Sequence, residues 1–91
     1  MNKILIIDDE VQIRKLLARI MELEGYEVFL AADCKSGLKQ IPAHQPEVVL
    51  CDVFLPDGNG IDLVLNIKIN IPILKPYCLR LMAIYLIVFR Q

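Results

Sequence analysis

Apolar and polar positions change period several times before residue 70, and each change marks an element. Ile4, Leu5, Ile6 and Ile7 form an unbroken apolar run that stops at Asp8, Asp9 and Glu10. A short run with no polar face is the pattern of a strand buried on both sides of a parallel sheet. From Ile13 the period lengthens. Ile13, Leu16, Leu17, Ile20, Met21 and Leu23 recur at helical spacing while Arg14, Lys15, Arg19 and Glu22 fill the other face, which predicts an amphipathic helix. Gly25 supplies the stop signal, and residues 26–31, aromatic and β-branched, predict a second strand. Asp33 is expected to cap a second helix through Ile41. Pro42 and Pro46 then bracket a turn carrying His44, and residues 48–52 read as a third, nearly all-apolar strand.

Strand, helix, strand, helix, strand implies right-handed crossovers and a parallel sheet, the α/β class. After the third strand, the segment from Asp52 through Pro56, Asp57, Gly58 and Asn59 to Gly60 contains one proline and two glycines. These residues permit a tight loop around the Asp52 carboxylate. Asp57, Asn59 and Asp62 imitate a calcium loop, but the sixth position from Asp57 is Asp62 where such a loop needs glycine. The expectation is that these residues form the turn and cap a helix beginning near Gly60.

If the first and third strands are neighbours, Asp8, Asp9 and Asp52 meet at the carboxyl ends of the strands, the crevice where open α/β sheets bind ligands. Neighbouring strands lie about 4.8 Å apart, and two like charges about 5 Å apart repel by roughly 3 kcal/mol at an effective dielectric near 20. Three carboxylates so placed either raise a pKa or bind a hard cation, and Mg²⁺ is the expected one. A single aspartate at a strand end needs no such reading, because acidic residues commonly cap the following helix.

Composition narrows the classes. Ninety-one residues make one domain, able to bury roughly 65% of its unfolded surface. Ten basic and eleven acidic residues leave no basic footprint, so direct nucleic-acid binding is not expected and partners should be proteins or small molecules. Cys34, Cys51 and Cys78 are odd in number and lack ligand spacing, which suits reduced thiols in a cytosolic protein. Only four consecutive apolar residues precede Asp8, too few for a signal-peptide core, so a cytoplasmic location is expected. His44 has no acidic or thiol partner nearby in sequence and is given no catalytic role.

The run from Ile4 through Asp8, Asp9 and Glu10, with Asp52 followed by Pro56 and Gly60, resembles the receiver domain of two-component response regulators over residues 1 to about 68. The resemblance implies a flavodoxin-like, doubly wound parallel sheet and a phosphorelay signalling module rather than a free-standing enzyme. It implies Asp52 as the phosphoacceptor, with Mg²⁺ held by Asp8, Asp9, Asp52 and the backbone carbonyl of Phe54. It implies a sensor histidine kinase as partner. Two rival readings stand beside it. A Mg²⁺-dependent phosphohydrolase with an aspartate nucleophile would use a second Asp two residues later as general acid, a place that Phe54 occupies. A non-phosphorylated interaction or decoy domain needs only the surface of the first helix.

The sequence departs from the family after residue 68, dividing the chain into a receiver part, 1–68, and an atypical apolar tail, 69–91. Receivers have a fourth strand ending in Thr or Ser and a fifth ending in Lys. The family spacing puts the hydroxyl near Arg80 and the lysine beyond Gln91, so a partial fold lacking normal strands 4 and 5, with impaired function, is expected. From Ile69 the chain reads INIPILKPYCLRLMAIYLIVFRQ, apolar without alternation, caps or turn signals. A shifted reading frame accounts for this. Taking the third base of each codon with the first two of the next, Tyr77 with Cys78 must encode leucine and Met82 with Ala83 glycine. The codons of residues 78–91 permit LLTAYGNISDSVQA, whose threonine falls at the Leu79/Arg80 junction. As written, residues 78–89 could instead form a substitute strand or helix over the bare sheet edge. The edge and the apolar segment also favour self-association. Membrane insertion is disfavoured, because Pro72, Lys75, Pro76 and Arg80 leave about nine uninterrupted apolar residues where a span needs about 20.

Overall fold

In the computed structural model, residues 2–71 and 73–78 are described. Their elements run β1 (Lys3–Ile7), α1 (Val11–Leu23), β2 (Glu27–Ala31), α2 (Cys34–His44), β3 (Val48–Cys51), β4 (Phe54–Leu55), β5 (Gly58–Asn59), α3 (Gly60–Asn70) and β6 (Lys75–Cys78). The main sheet has the order β2-β1-β3-β6, parallel throughout, which matches the first four places of the flavodoxin-like order. β4 and β5 form a separate antiparallel hairpin.

The apolar run of β1 resolves into two faces, because successive strand side chains point to opposite sides. Leu5 and Ile7 join Ala31, Ile41, Val49, Cys51, Leu63, Ile67 and Leu74 in one core, which is where α2 and α3 pack. Ile4 and Ile6 join Leu50 on the other side, covered by Leu17 and Met21 of α1. The sidedness follows from crossover handedness. The chain steps one way from β1 to β2 and the opposite way from β2 to β3 and from β3 to β6, so right-handed connections put α1 on one face and α2 and α3 on the other.

α1 ends as the pattern predicts, with Gly25 at φ 94°, a left-handed conformation that glycine adopts without steric penalty. α2 differs from expectation. Asp33 caps it, accepting from the Ser36 amide at 2.7 Å, but the helix continues past Ile41 through Pro42 to His44. Pro42 sits near the helix end, where its ring forfeits a single bond, to the Leu38 carbonyl. The last turn is held instead by Gln45, whose left-handed backbone (φ 52°) brings its amide to the Ile41 carbonyl at 2.8 Å. It is also held by the His44 ring, stacked on Phe29 with centroids 4.0 Å apart. The turn bracketed by Pro42 and Pro46 is therefore shorter than predicted, and His44 is helical.

Beyond residue 68 the structure carries more order than the sequence pattern suggests. α3 runs to Asn70, and β6 takes the place beside β3, with Val48 opposite Lys75. The substitute strand or helix expected over residues 78–89 lies, from residue 79 onward, outside the described residues, and β6 precedes it. Pro76 disguised β6, since proline in a strand is tolerated only at an edge or bulge. Residues 79–91, with Arg80, the Leu79/Arg80 junction and most of the shifted-frame string, lie outside the described residues. Among the described residues no helix is long and apolar enough to cross a membrane.

Candidate functional site

The chain leaves β1 toward β2 on one side and returns through α2 to β3 on the other, so the crevice of this sheet opens between the carboxyl ends of β1 and β3. Asp8 and Asp52 are the first residues past those strands. The Asp8 amide donates to the Ala31 carbonyl at 3.0 Å and the Asp52 amide to the Ile7 carbonyl at 2.9 Å. The last ladder bonds of the sheet thereby hold both backbones. One carboxylate oxygen from each of Asp8, Asp9 and Asp52 lies within 4.8 Å of the others. Asp8 is buried, 2% exposed, Asp52 is half-buried and Asp9 is exposed.

Burial pushes the Asp8 carboxyl above its ordinary pKa; the bond it accepts from the Glu10 amide opposes this, while the charges of Asp52, Asp9 and Glu10 add to the rise. That Glu10 bond is 2.9 Å long and reaches Asp8 Oδ1. Arg14 Nη1 donates to the Asp8 backbone carbonyl at 2.8 Å, tying the first turn of α1 to the loop before it. Periodicity placed Arg14 only on the polar face of a helix and held no signal of this bond.

The loop after Asp52 is built tightly. The Gly60 amide donates to the Val53 carbonyl at 2.7 Å, and a Cβ on Gly60 would overlap the Asp52 carbonyl oxygen and sit 3.1 Å from the Cys51 sulfur. The hairpin pairs Phe54 with Asn59 and Leu55 with Gly58. Asn59 caps α3, accepting from the Ile61 amide at 2.7 Å, as expected of this segment. Asp57 does something else. Its two carboxylate oxygens accept from the Cys34 amide at 2.8 Å and the Lys35 amide at 3.0 Å, capping α2 rather than α3. Phe54 follows Asp52 by two residues, with its ring 65% exposed.

The other sequence candidates lie elsewhere. His44 is at the opposite end of the sheet, where its carbonyl accepts from Lys3 Nζ at 3.2 Å. Cys34 and Cys51 carry unbridged thiols, and the Cys51 sulfur donates to the Asp52 carbonyl.

The donor set fits a hard divalent cation. Opposite ligands of an octahedral Mg²⁺ are about 4.2 Å apart, so three oxygens within 4.8 Å nearly match all-direct coordination and suit an ion that keeps some of its waters. A cation there would also favour the charged form of Asp8, against the burial and the neighbouring charges that raise its pKa.

Residues 4–75 match the family described as the response regulator receiver domain. The KDP operon transcriptional regulatory protein KdpE of Escherichia coli is 34% identical over 68 residues, covering 75% of this chain and 30% of that protein. Sporulation initiation phosphotransferase F of Bacillus subtilis is 37% identical over 68 residues, 75% of this chain and 55% of the relative. The chain thus spans between about a third and about half of these relatives' length. Among solved structures, the response regulator TrrA of Thermotoga maritima in complex with Mg²⁺ and BeF superposes with a TM-score of 0.79 at 30% identity, covering 84% of this chain and 66% of that one. A receiver domain protein from Clostridium thermocellum gives 0.79 at 30% identity, covering 86% and 64%.

Two outcomes follow from the geometry. Gly60→Ala is expected to lower the unfolding free energy by roughly 1–3 kcal/mol in urea denaturation, because the new methyl must displace the Asp52 backbone. In the ion-free protein, Asp8 keeps its proton to higher pH when folded than when unfolded. Its contribution to stability is therefore fully present below the ordinary carboxylate pKa of 3.8 and is lost as pH rises through the folded value. Asp8→Asn should abolish that loss and make the ion-free protein more stable than wild type near neutral pH, as read from thermal midpoints from about pH 3 to about pH 8.

Proposed function

Because the chain belongs to the response regulator receiver family, we propose that it is a two-component signalling module that accepts a phosphoryl group on Asp52 from a sensor histidine kinase. The observation that carries the reading is the meeting of the Asp8, Asp9 and Asp52 carboxylates within 4.8 Å at the carboxyl ends of two adjacent parallel strands. That TrrA, similar in fold, was solved with Mg²⁺ and BeF supports the same assignment.

In this reading Asp8, Asp9 and Asp52, with the Phe54 backbone carbonyl, hold Mg²⁺. Bound Mg²⁺ supplies positive charge against the oxygens of the transferring phosphoryl group. An Asp52 carboxylate oxygen attacks phosphorus, the bond from phosphorus to the donor's imidazole nitrogen breaks, and its electron pair stays with the imidazole, leaving an acyl phosphate on Asp52. The half-buried position of Asp52 beside the exposed Asp9 leaves an approach for the donor. The ladder bond from the Asp52 amide and the packing at Gly60 fix the direction from which the carboxylate attacks.

The reading keeps residues 1–68 as the receiver part and 69–91 as an atypical tail. With Arg80 at the position where the family carries a hydroxyl, no short side chain is there to follow the phosphoryl group, so the conformational output is weak.

With Mg²⁺ and acetyl phosphate or a histidine kinase, wild type is expected to acquire one phosphoryl group, seen by intact-mass spectrometry. Asp52→Asn should acquire none, and Asp9→Ala should lose the Mg²⁺ dependence. Label persisting in Asp52→Asn rejects the acceptor, and repeated turnover of phosphate esters points to a hydrolase. Kinase binding without label points to a decoy. Beryllofluoride is expected to move amide resonances around Asp52 while leaving those of β6 in place; a full shift through β6 contradicts the weak output.

A further inference from the structure

Two acidic side chains cap the same helix end and differ in where they come from. Asp33 belongs to the turn just before α2 and accepts from the Ser36 amide at 2.7 Å. Asp57 comes from the tip of the β4–β5 hairpin, 22 and 23 residues away in sequence, and takes the Lys35 and Cys34 amides at 3.0 Å and 2.8 Å. Between them three of the four unpaired amides of the first turn are satisfied, so α2 would keep part of its cap without Asp57. The hairpin has fewer alternatives. Its two strands are two residues each, and an isolated hairpin of that size is not stable in water.

We propose that Asp57 is a positioning residue, which ties the hairpin to α2 and so holds the shape of the loop that leads from Asp52, beside the three carboxylates, to Gly60. The proposal rests on the reading of those carboxylates as a Mg²⁺ site. Both carboxylate oxygens are engaged, which fixes the orientation of the tip as well as its distance. The Cys34 and Lys35 amides hold the Asp57 carboxyl below the usual carboxylate range, so the tie is charged at neutral pH and is strengthened by the positive end of the helix dipole. The tip is also packed. A Cβ on Gly58 would lie 3.2 Å from the Cys34 sulfur, so hairpin and helix meet at two adjacent points.

The test compares Asp57→Ala with Asp33→Ala in the full chain. Both remove a cap from α2, and only the first releases the hairpin. Two readouts are taken: hydrogen exchange of the Gly60 amide, which donates to Val53, and the dissociation constant for MgCl₂ by calorimetry. In Asp57→Ala the Gly60 amide is expected to exchange at least about tenfold faster, and Mg²⁺ affinity to fall about tenfold, the usual size of an outer-shell effect. Asp33→Ala should leave both within about twofold while lowering the thermal midpoint to a similar extent. Asp57→Asn, which keeps one acceptor oxygen, should fall between wild type and Asp57→Ala, and serves if the alanine variant does not fold. Equal effects of the two alanine variants, or no change at Gly60 in Asp57→Ala, overturn the proposal. If Gly60 responds and wild type binds no Mg²⁺, the tie exists and it is the cation reading that fails.

Discussion

Because β1 and β3 run parallel and in register, with Ile7 opposite Cys51, the chain leaves both strands at the same level. The residues that follow, Asp8 and Asp52, then stand about one strand spacing apart. Neither can retreat. Their amides make the last ladder bonds, to Ala31 and Ile7, and Asp8 is further fixed by the Glu10 amide and by Arg14 on its carbonyl. The apolar pairing of residues 4–7 with residues 48–51 is thus what concentrates negative charge. The hydrophobic core supplies the free energy that holds these carboxylates in place, and the Asp8 carboxyl is raised first by its burial there and then by the neighbouring charges of Asp52, Asp9 and Glu10.

The loop around Asp52 shows the same division of labour at smaller scale. Gly60 is there because a Cβ would strike the Asp52 carbonyl. Asn59 starts α3 with its own side chain, and Asp57 is left to bond outside its own loop. Both side chains satisfy backbone amides at a helix start, where no ladder or helix partner exists. Of the residues whose spacing resembled a calcium loop, Asp57 therefore caps α2 and Asn59 caps α3.

What was legible in the sequence was whatever depends on local pattern. Residues 4–7 and 48–51 had no polar face and are buried strands, the helical spacing from Ile13 gave α1, and the carboxylates at strand ends gave the site. Pro42 misled because a proline rule with a strong local cost was overridden by the Gln45 cap and the His44 stack on Phe29, both of which need the fold to exist. β6 was hidden by Pro76, a residue that a central strand does not tolerate but an edge strand does. Asp57 and Arg14 were invisible for a plainer reason. Their partners are backbone groups that a hydrophobic pattern does not report: the Asp8 carbonyl for Arg14, and for Asp57 amides brought near by topology across 22 residues or more.

The arrangement also links stability to occupancy. A cation that binds the folded chain and not the unfolded one adds RT ln(1 + [L]/Kd) to the unfolding free energy, and in the proposed Mg²⁺ reading it would do so beside the buried Asp8 carboxyl. The carboxylates that weaken the fold when alone become a source of stability when a cation is among them. Burial of Asp8 makes the effect larger, since a partly desolvated charge gains more from a neighbouring cation than an exposed one. The cluster is graded in burial from the sheet outward, with Asp8 innermost, Asp52 half-buried and Asp9 exposed at the rim.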